Sequence, residues 1–151
     1  MTVSDGTPPE FRLKPVLYSC SNAKGIEQLV KSSKAISRDK DFVLLFDHKE
    51  EVAPRVLPAL VNAMIRMKDG TMRAREVQIE MLLLLCGTMN VGKALKEMGA
   101  KTSKRFFVFA TSMAIFTRFS KANQIRNAER VPLKFDVSAA GDVAITELSK
   151  S

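Results

Sequence analysis

Gly70-Thr71-Met72-Arg73-Ala74-Arg75-Glu76-Val77-Gln78-Ile79-Glu80-Met81-Leu82-Leu83-Leu84-Leu85-Cys86-Gly87-Thr88-Met89-Asn90-Val91-Gly92-Lys93-Ala94-Leu95-Lys96-Glu97-Met98-Gly99 reads as helix, tight loop, helix. Val77, Met81, Leu84 and Leu85 recur at helical spacing while Ile79, Leu82 and Leu83 fill the other sides. The C-terminal end of the first helix is therefore apolar nearly all round and belongs in a core. Gly87 is placed to end it and Asn90 to cap the next helix. Gly99 is expected to take a left-handed position after Val91, Ala94, Leu95 and Met98 have made a second apolar stripe. The polar residues of the stretch are mostly basic.

On the N-terminal side, a helix carrying Pro54 and Pro58 in its first turn or so buries Leu57, Leu60, Val61 and Met64. Its other side presents Arg55, Asn62 and Arg66 as a polar ridge leading toward Gly70 and Arg73. Phe42-Val43-Leu44-Leu45-Phe46 is apolar on both faces and is expected to be a central strand. Asp47 reads as a cap or turn residue and His48 as a surface one. Further back come a polar turn at Arg38-Asp39-Lys40-Asp41, a helix striped by Ile26, Leu29, Val30, Ser33 and Ile36, and a first strand over Lys14–Ser19 with Pro15 near its start or on a sheet edge. Residues 1–10 have the composition of a flexible lead-in, leaving residues 11–151 as one domain.

On the C-terminal side, Arg105-Phe106-Phe107-Val108-Phe109-Ala110 reads as a second central strand, and Thr111 or Ser112 as the cap of a helix burying Ile115, Phe116 and Phe119. Arg118, Lys121, Arg126 and Arg130 make the next segment basic, and Pro132 interrupts it. A short helix from Asp136 and a last strand at Val143–Leu148 complete the order. Too few strand-helix-strand units are present for a large parallel sheet. The fold class is α+β, a single domain with a small mixed or antiparallel sheet covered by helices.

At 151 residues the chain is long enough to bury about two-thirds of its extended surface without disulfides or metals. No run of apolar residues suits a membrane span and no N-terminal export pattern is present, so a cytoplasmic protein is expected, in cytoplasm and nucleus if the source is eukaryotic. Two cysteines, Cys20 and Cys86, and a single histidine make no zinc set and suggest two buried thiols. The net charge of +8 is uneven: residues 1–65 carry nine bases against eight acids, residues 66–134 fourteen against five, and residues 135–151 one against three. A domain that is basic on one side is a candidate partner for phosphate.

Two chemical readings compete. Gly87-Thr88-Met89-Asn90-Val91-Gly92-Lys93 fits G-x-x-x-x-G-K, which would make the chain a phosphate-binding, NTPase-like enzyme. Against it, Ala94 stands where a hydroxyl must reach the metal, the acidic strand ending at Asp47 comes before the loop, and the run into Gly87 has a helical period. No nucleophile-base set is apparent, and Glu76 and Glu80 lie one turn apart as a helix surface pair would, so no catalytic residue, cofactor or metal is assigned. The second reading is binding. Arg73 and Arg75 at a helix start suit phosphate oxygens, aided by the free N–H groups of the same helix end, with Lys93, Lys96, Asn62 and Arg66 able to approach if the fold brings them together. One of the two arginines is alternatively a partner of Glu76 or Glu80. A plain protein-interaction domain with an incidental basic surface stays open; Met72, Met89 and Met98 are soft side chains suited either to a partner surface or to the core.

Asn62-Ala63, Gly70, Arg73-Ala74-Arg75, Glu80, Gly87, Asn90-Val91, Ala94 and Gly99 resemble the kinase-binding accessory subunit family of the KEOPS (EKC) complex. That family has an R-A-R turn opening a helix with E-[IM]-L-L-x-L, then S-G-x-x-x-I-x-x-A-[IL]-x-x-x-G. The match is dense over residues 56–100, with Cys86 in place of the usual serine, and the ending at Val143–Leu148 is similar to the family's last strand. The resemblance implies an α+β fold and a non-catalytic subunit. It also implies docking on the small atypical kinase-ATPase of the complex and, in some members, a hold on the 3′ single-stranded end of tRNA that supports threonylcarbamoyladenosine formation. Arg73, Arg75 and Asn90 carry over as RNA-side positions, with Gly87, Ala94 and Gly99 as motif residues; the kinase-docking surface is not readable from the residues.

Overall fold

In a computed structural model, which describes residues 14–133 apart from 23, 39 and 126, the strands reveal why they are apolar on both sides. Along β3 (Phe106–Ala110), Phe107 and Phe109 enter one core while Phe106, Val108 and Ala110 enter a second; along β2 (Val43–Asp47), Leu44 and Phe46 face the first and Val43 and Leu45 the second. Successive strand residues point to opposite faces, so a sheet covered on both faces needs apolar residues at every position. The first face is covered by α2 (Ala53–Asp69), α3 (Val77–Cys86) and α4 (Val91–Met98), the second by α1 (Ile26–Ile36) and α5 (Met113–Asn123).

With β1 (Val16–Ser21) and β4 (Asn127–Val131), the sheet is antiparallel throughout in the order β2-β3-β1-β4. The α+β single-domain reading holds, but β2, expected to be central, is at an edge among the described residues. Helices bury both of its faces, and its far side is met at two points among the described residues, the Val43 N–H donating to Ser37 Oγ at 3.0 Å and Phe46 forming a bridge with Gly99. β4 was not foreseen. Its residues 127–130 are exposed, and its pairing with β1, Tyr18 opposite Arg130 and Ser19 opposite Glu129, uses backbone groups that leave no apolar alternation in the sequence. The lead-in at 1–10, the helix from Asp136 and the strand at Val143–Leu148 lie outside the described residues.

Three details of the helices differ from expectation. Only Pro54 sits at the start of α2; Pro58 lies inside it, buried, after a 3-10 turn at Glu50–Val52 has set the helix direction. The buried face of α2 is Val56, Ala59, Leu60, Ala63 and Met64, with Leu57 and Val61 half-buried, so the face is rotated and the next position along it is Arg66. Gly87 is left-handed as expected (φ 75°, ψ 36°), but Gly99 is extended (φ −63°, ψ 145°). Gly99 is needed for closeness, because a methyl group there would run into the carbonyl oxygen of Leu95.

The two thiols differ. Cys20 is buried beneath α1 and α5, and burial pushes its thiol from 9.0 up to about 12. Cys86 is only half-buried, contrary to expectation, and its thiol lies 3.2 Å from a Glu97 carboxylate oxygen; partial burial first, then Glu97, raise its pKa. For Cys20 the folded value exceeds the unfolded one, so this contribution to stability is intact below about pH 9 and is lost as pH rises toward about 12. An aromatic disulfide reagent at mildly alkaline pH is therefore expected to label Cys86 alone in the folded protein and Cys20 only after unfolding. Glu97→Gln is expected to speed Cys86, and equal labelling of both thiols in the folded protein would contradict this placement.

Candidate nucleic-acid interface

The helix α2 ends at Gly70, left-handed (φ 71°, ψ 25°), where the N–H of Thr71 reaches back to the Arg66 carbonyl at 2.9 Å. The chain then turns through residues 71–76 before α3 starts at Val77, so Arg73 and Arg75 precede the helix rather than opening it. What holds this turn is Glu80, read from sequence as a surface acid but 0% exposed. One of its oxygens, Oε2, pairs with Arg66 Nη1. The other, Oε1, accepts from the backbone N–H groups of Arg73 at 2.7 Å and Ala74 at 2.8 Å. The N–H groups that hold this carboxylate belong to the turn before α3, not to the helix end that the sequence reading offered to an anion, and the two guanidinium groups take no part in it.

Arg66 is corrected accordingly. Only 8% exposed, it faces Glu80 across the α2–α3 contact and is withdrawn from the surface expected to meet RNA. The side chains of Arg73 and Arg75 remain exposed, and among the described residues neither guanidinium lies within ion-pair distance of a carboxylate; the alternative that one of them pairs with Glu76 or Glu80 is not what the fold adopts. Backbone groups pin the turn and leave both side chains outside.

The other sequence candidates do not all converge there. Asn62 is half-buried and its Nδ2 donates to the Pro58 carbonyl at 2.9 Å. Asn90 caps α4, its side chain accepting from the N–H of Lys93 at 2.9 Å. Lys93 and Lys96 are exposed on α4. Because Asn90 and Lys93 follow the C-terminal end of α3 and the arginines precede its N-terminal end, the ten residues of that helix separate the two groups by about 15 Å. The basic candidates therefore stand in two groups, one at each end of α3, and do not converge on one compact site.

The G-x-x-x-x-G-K segment spans the link between α3 and α4 and the first turn of α4, and is not a loop after a strand. Its backbone N–H groups at Lys93 and Ala94 are taken by Asn90, at 2.9 and 3.0 Å, so no phosphate cradle is formed. Ala94 is buried, as is Met98, while Met72 and Met89 are half-buried. Leu95, expected in the apolar stripe, is 46% exposed. His48 is stacked on Phe107 with ring centroids 4.4 Å apart, and Asp47 accepts from the His48 N–H at 3.1 Å as a turn residue.

Sequence reading missed Lys34, Arg38 and Lys40, which the fold sets beside Arg75 across a cleft. In sequence the last two sit in the alternation Arg38-Asp39-Lys40-Asp41, which looks neutral and solvated. In the fold, Asp41 Oδ1 accepts from the hydroxyls of Thr111 at 2.6 Å and Ser112 at 3.1 Å. Ser112, not Thr111, caps α5.

Removing one partner of a buried pair strands the other charge, so Glu80→Ala is expected to lower unfolding free energy by about 3–5 kcal/mol. Glu80→Gln should lose less, because an amide oxygen still accepts from the two turn N–H groups. Denaturant unfolding measures both, and a loss under about 1 kcal/mol for Glu80→Ala would show that the pair contributes little.

Among the described residues no helix is long and apolar enough to cross a membrane. Comparison with curated proteins gives no match. The family described as "Kinase binding protein CGI-121" matches over residues 19–144, more than four-fifths of the sequence and inclusive of the turn, the loop at Gly87 and α1 to α5. The chain belongs to the CGI-121 kinase-binding protein family.

Proposed function

We propose that this chain is a non-catalytic accessory subunit of the KEOPS complex that docks on the small atypical kinase-ATPase subunit and holds the 3′ single-stranded end of tRNA, supporting threonylcarbamoyladenosine modification by another subunit. Family membership supports the kinase partner, since the family is described by kinase binding. One observation carries the RNA half: the R-A-R turn is fixed from inside by Glu80, so Arg73 and Arg75 stand exposed on a rigid base. Guanidinium forks carried on a fixed backbone bind phosphate oxygens in two places at once. A single-stranded end, whose bases are splayed and whose phosphates are accessible from several sides, suits such a surface better than a duplex groove.

Binding of intact tRNA and of tRNA lacking its 3′ single strand, by wild type and by Arg73→Glu at two salt concentrations, tests this reading. Tighter binding of intact tRNA is expected. Arg73→Glu should remove that preference and reduce the salt slope by about 0.7 for each lost single-strand phosphate contact. The Arg73 side chain is exposed and only its backbone N–H serves Glu80, so the variant should fold normally. Equal, weak binding of both RNAs, unchanged by the substitution, would leave a kinase-binding domain with an incidental basic surface.

A further inference from the structure

A cleft of about 820 Å³ opens between the C-terminal end of α1 with its following turn and the segment joining α2 to α3. Four cations line it: Lys34 from the last turn of α1, Arg38 and Lys40 from the turn that follows, and Arg75 from the opposite wall. Two acids, Asp41 and Glu76, also reach it, but one Asp41 oxygen is held by the hydroxyls of Thr111 and Ser112 at the end of the sheet. The cleft is therefore net positive among its described residues. Arg38 is not a free surface arginine. Its Nη1 donates to the carbonyls of Ala35, Ile36 and Ser37 at 3.3, 3.5 and 3.1 Å, which anchors the guanidinium at the helix end.

Met67 and Met72 supply an apolar patch inside this basic rim, both packing against the main core behind them. Cations placed around soft, flat-tolerant apolar side chains match one kind of ligand well: a flexible strand with phosphates at intervals and apolar base faces between them. A duplex would need a broader surface, and a uniformly acidic peptide carries no apolar faces to set on the methionine patch. Arg75 belongs to both the R-A-R turn and the cleft, so a strand engaged at the turn has a continuous basic path into it.

We infer that this cleft, walled by Lys34, Arg38, Lys40 and Arg75, binds the single-stranded RNA segment that continues from the R-A-R turn, with a base packed on Met67 and Met72. This rests on the RNA-binding reading above, and extends it to α1 and its turn, which carry none of the motif residues.

The test uses the full chain with intact tRNA and with tRNA trimmed of its 3′ single strand. Lys34→Glu/Lys40→Glu changes two exposed side chains and leaves the Arg38 anchor in place. It is expected to weaken intact tRNA about tenfold near physiological salt and to lower the salt slope by about 1.4, the effect of two lost single-strand phosphate contacts, without changing trimmed tRNA. A photoreactive thiouridine placed in the 3′ strand should crosslink to peptides containing Met67 or Met72 in wild type. If Arg73→Glu removes 3′-strand binding while Lys34→Glu/Lys40→Glu binds as wild type and no such crosslink forms, the cleft proposal falls and the RNA reading survives. If neither variant changes binding, both fall. Tighter binding of a short polyglutamate than of the 3′-strand RNA at matched charge and salt would overturn the assignment in favour of an acidic-peptide site.

Discussion

A carboxylate inside an apolar helix is costly unless its oxygens find donors, and Glu80 accepts from three groups drawn from two places. Arg66 comes from the last turns of α2, and the N–H groups of Arg73 and Ala74 come from the link to α3. One side chain thereby fixes the end of one helix, the path of the turn and the entry into the next helix. The pairing also has a consequence on the outside. Because Glu80 is satisfied by a buried arginine and by backbone, the Arg73 and Arg75 side chains are not consumed in holding their own turn. The rigidity and the availability of those side chains have the same origin.

Helix α3 acts as the spacer of the surface chemistry. Fully apolar around its C-terminal end, it is buried between α2, α4 and the sheet, and its two ends carry separate basic groups. At the far end the cap at Asn90 uses up the backbone donors near Lys93, which leaves lysine side chains but no backbone cradle. At the near end, the turn faces the end of α1 across a cleft where, among the described residues, bases outnumber acids. The near end therefore has the denser and better-fixed positive surface, and there the RNA proposal is placed.

Much of this was legible because it is local. The period of Val77, Met81, Leu84 and Leu85, the left-handed Gly87, the Asn90 cap and the doubly apolar strands at 42–46 and 106–110 all follow from interactions within a few residues or from simple alternation. What was misjudged is nonlocal. Arg66 and Arg55 look alike on a polar ridge, and Glu76 and Glu80 look alike one turn apart; only the packing of α2 on α3 makes Arg66 and Glu80 internal while Glu76 stays exposed. β4 escaped notice because a strand whose side chains are exposed is held by backbone hydrogen bonds that no side-chain pattern records.

By itself the sequence determined the number and kind of most elements, the α+β class and the membership in a kinase-binding family, because apolar period, capping and motif spacing are properties of neighbouring residues. The tertiary structure decided which charges are structural and which face solvent, that the basic residues divide between the two ends of α3, and that Lys34, Arg38 and Lys40 stand opposite Arg75. Those outcomes depend on how helices distant in sequence rotate against each other. A rotation that places Ala63 in the core carries Arg66, three residues on, toward Glu80.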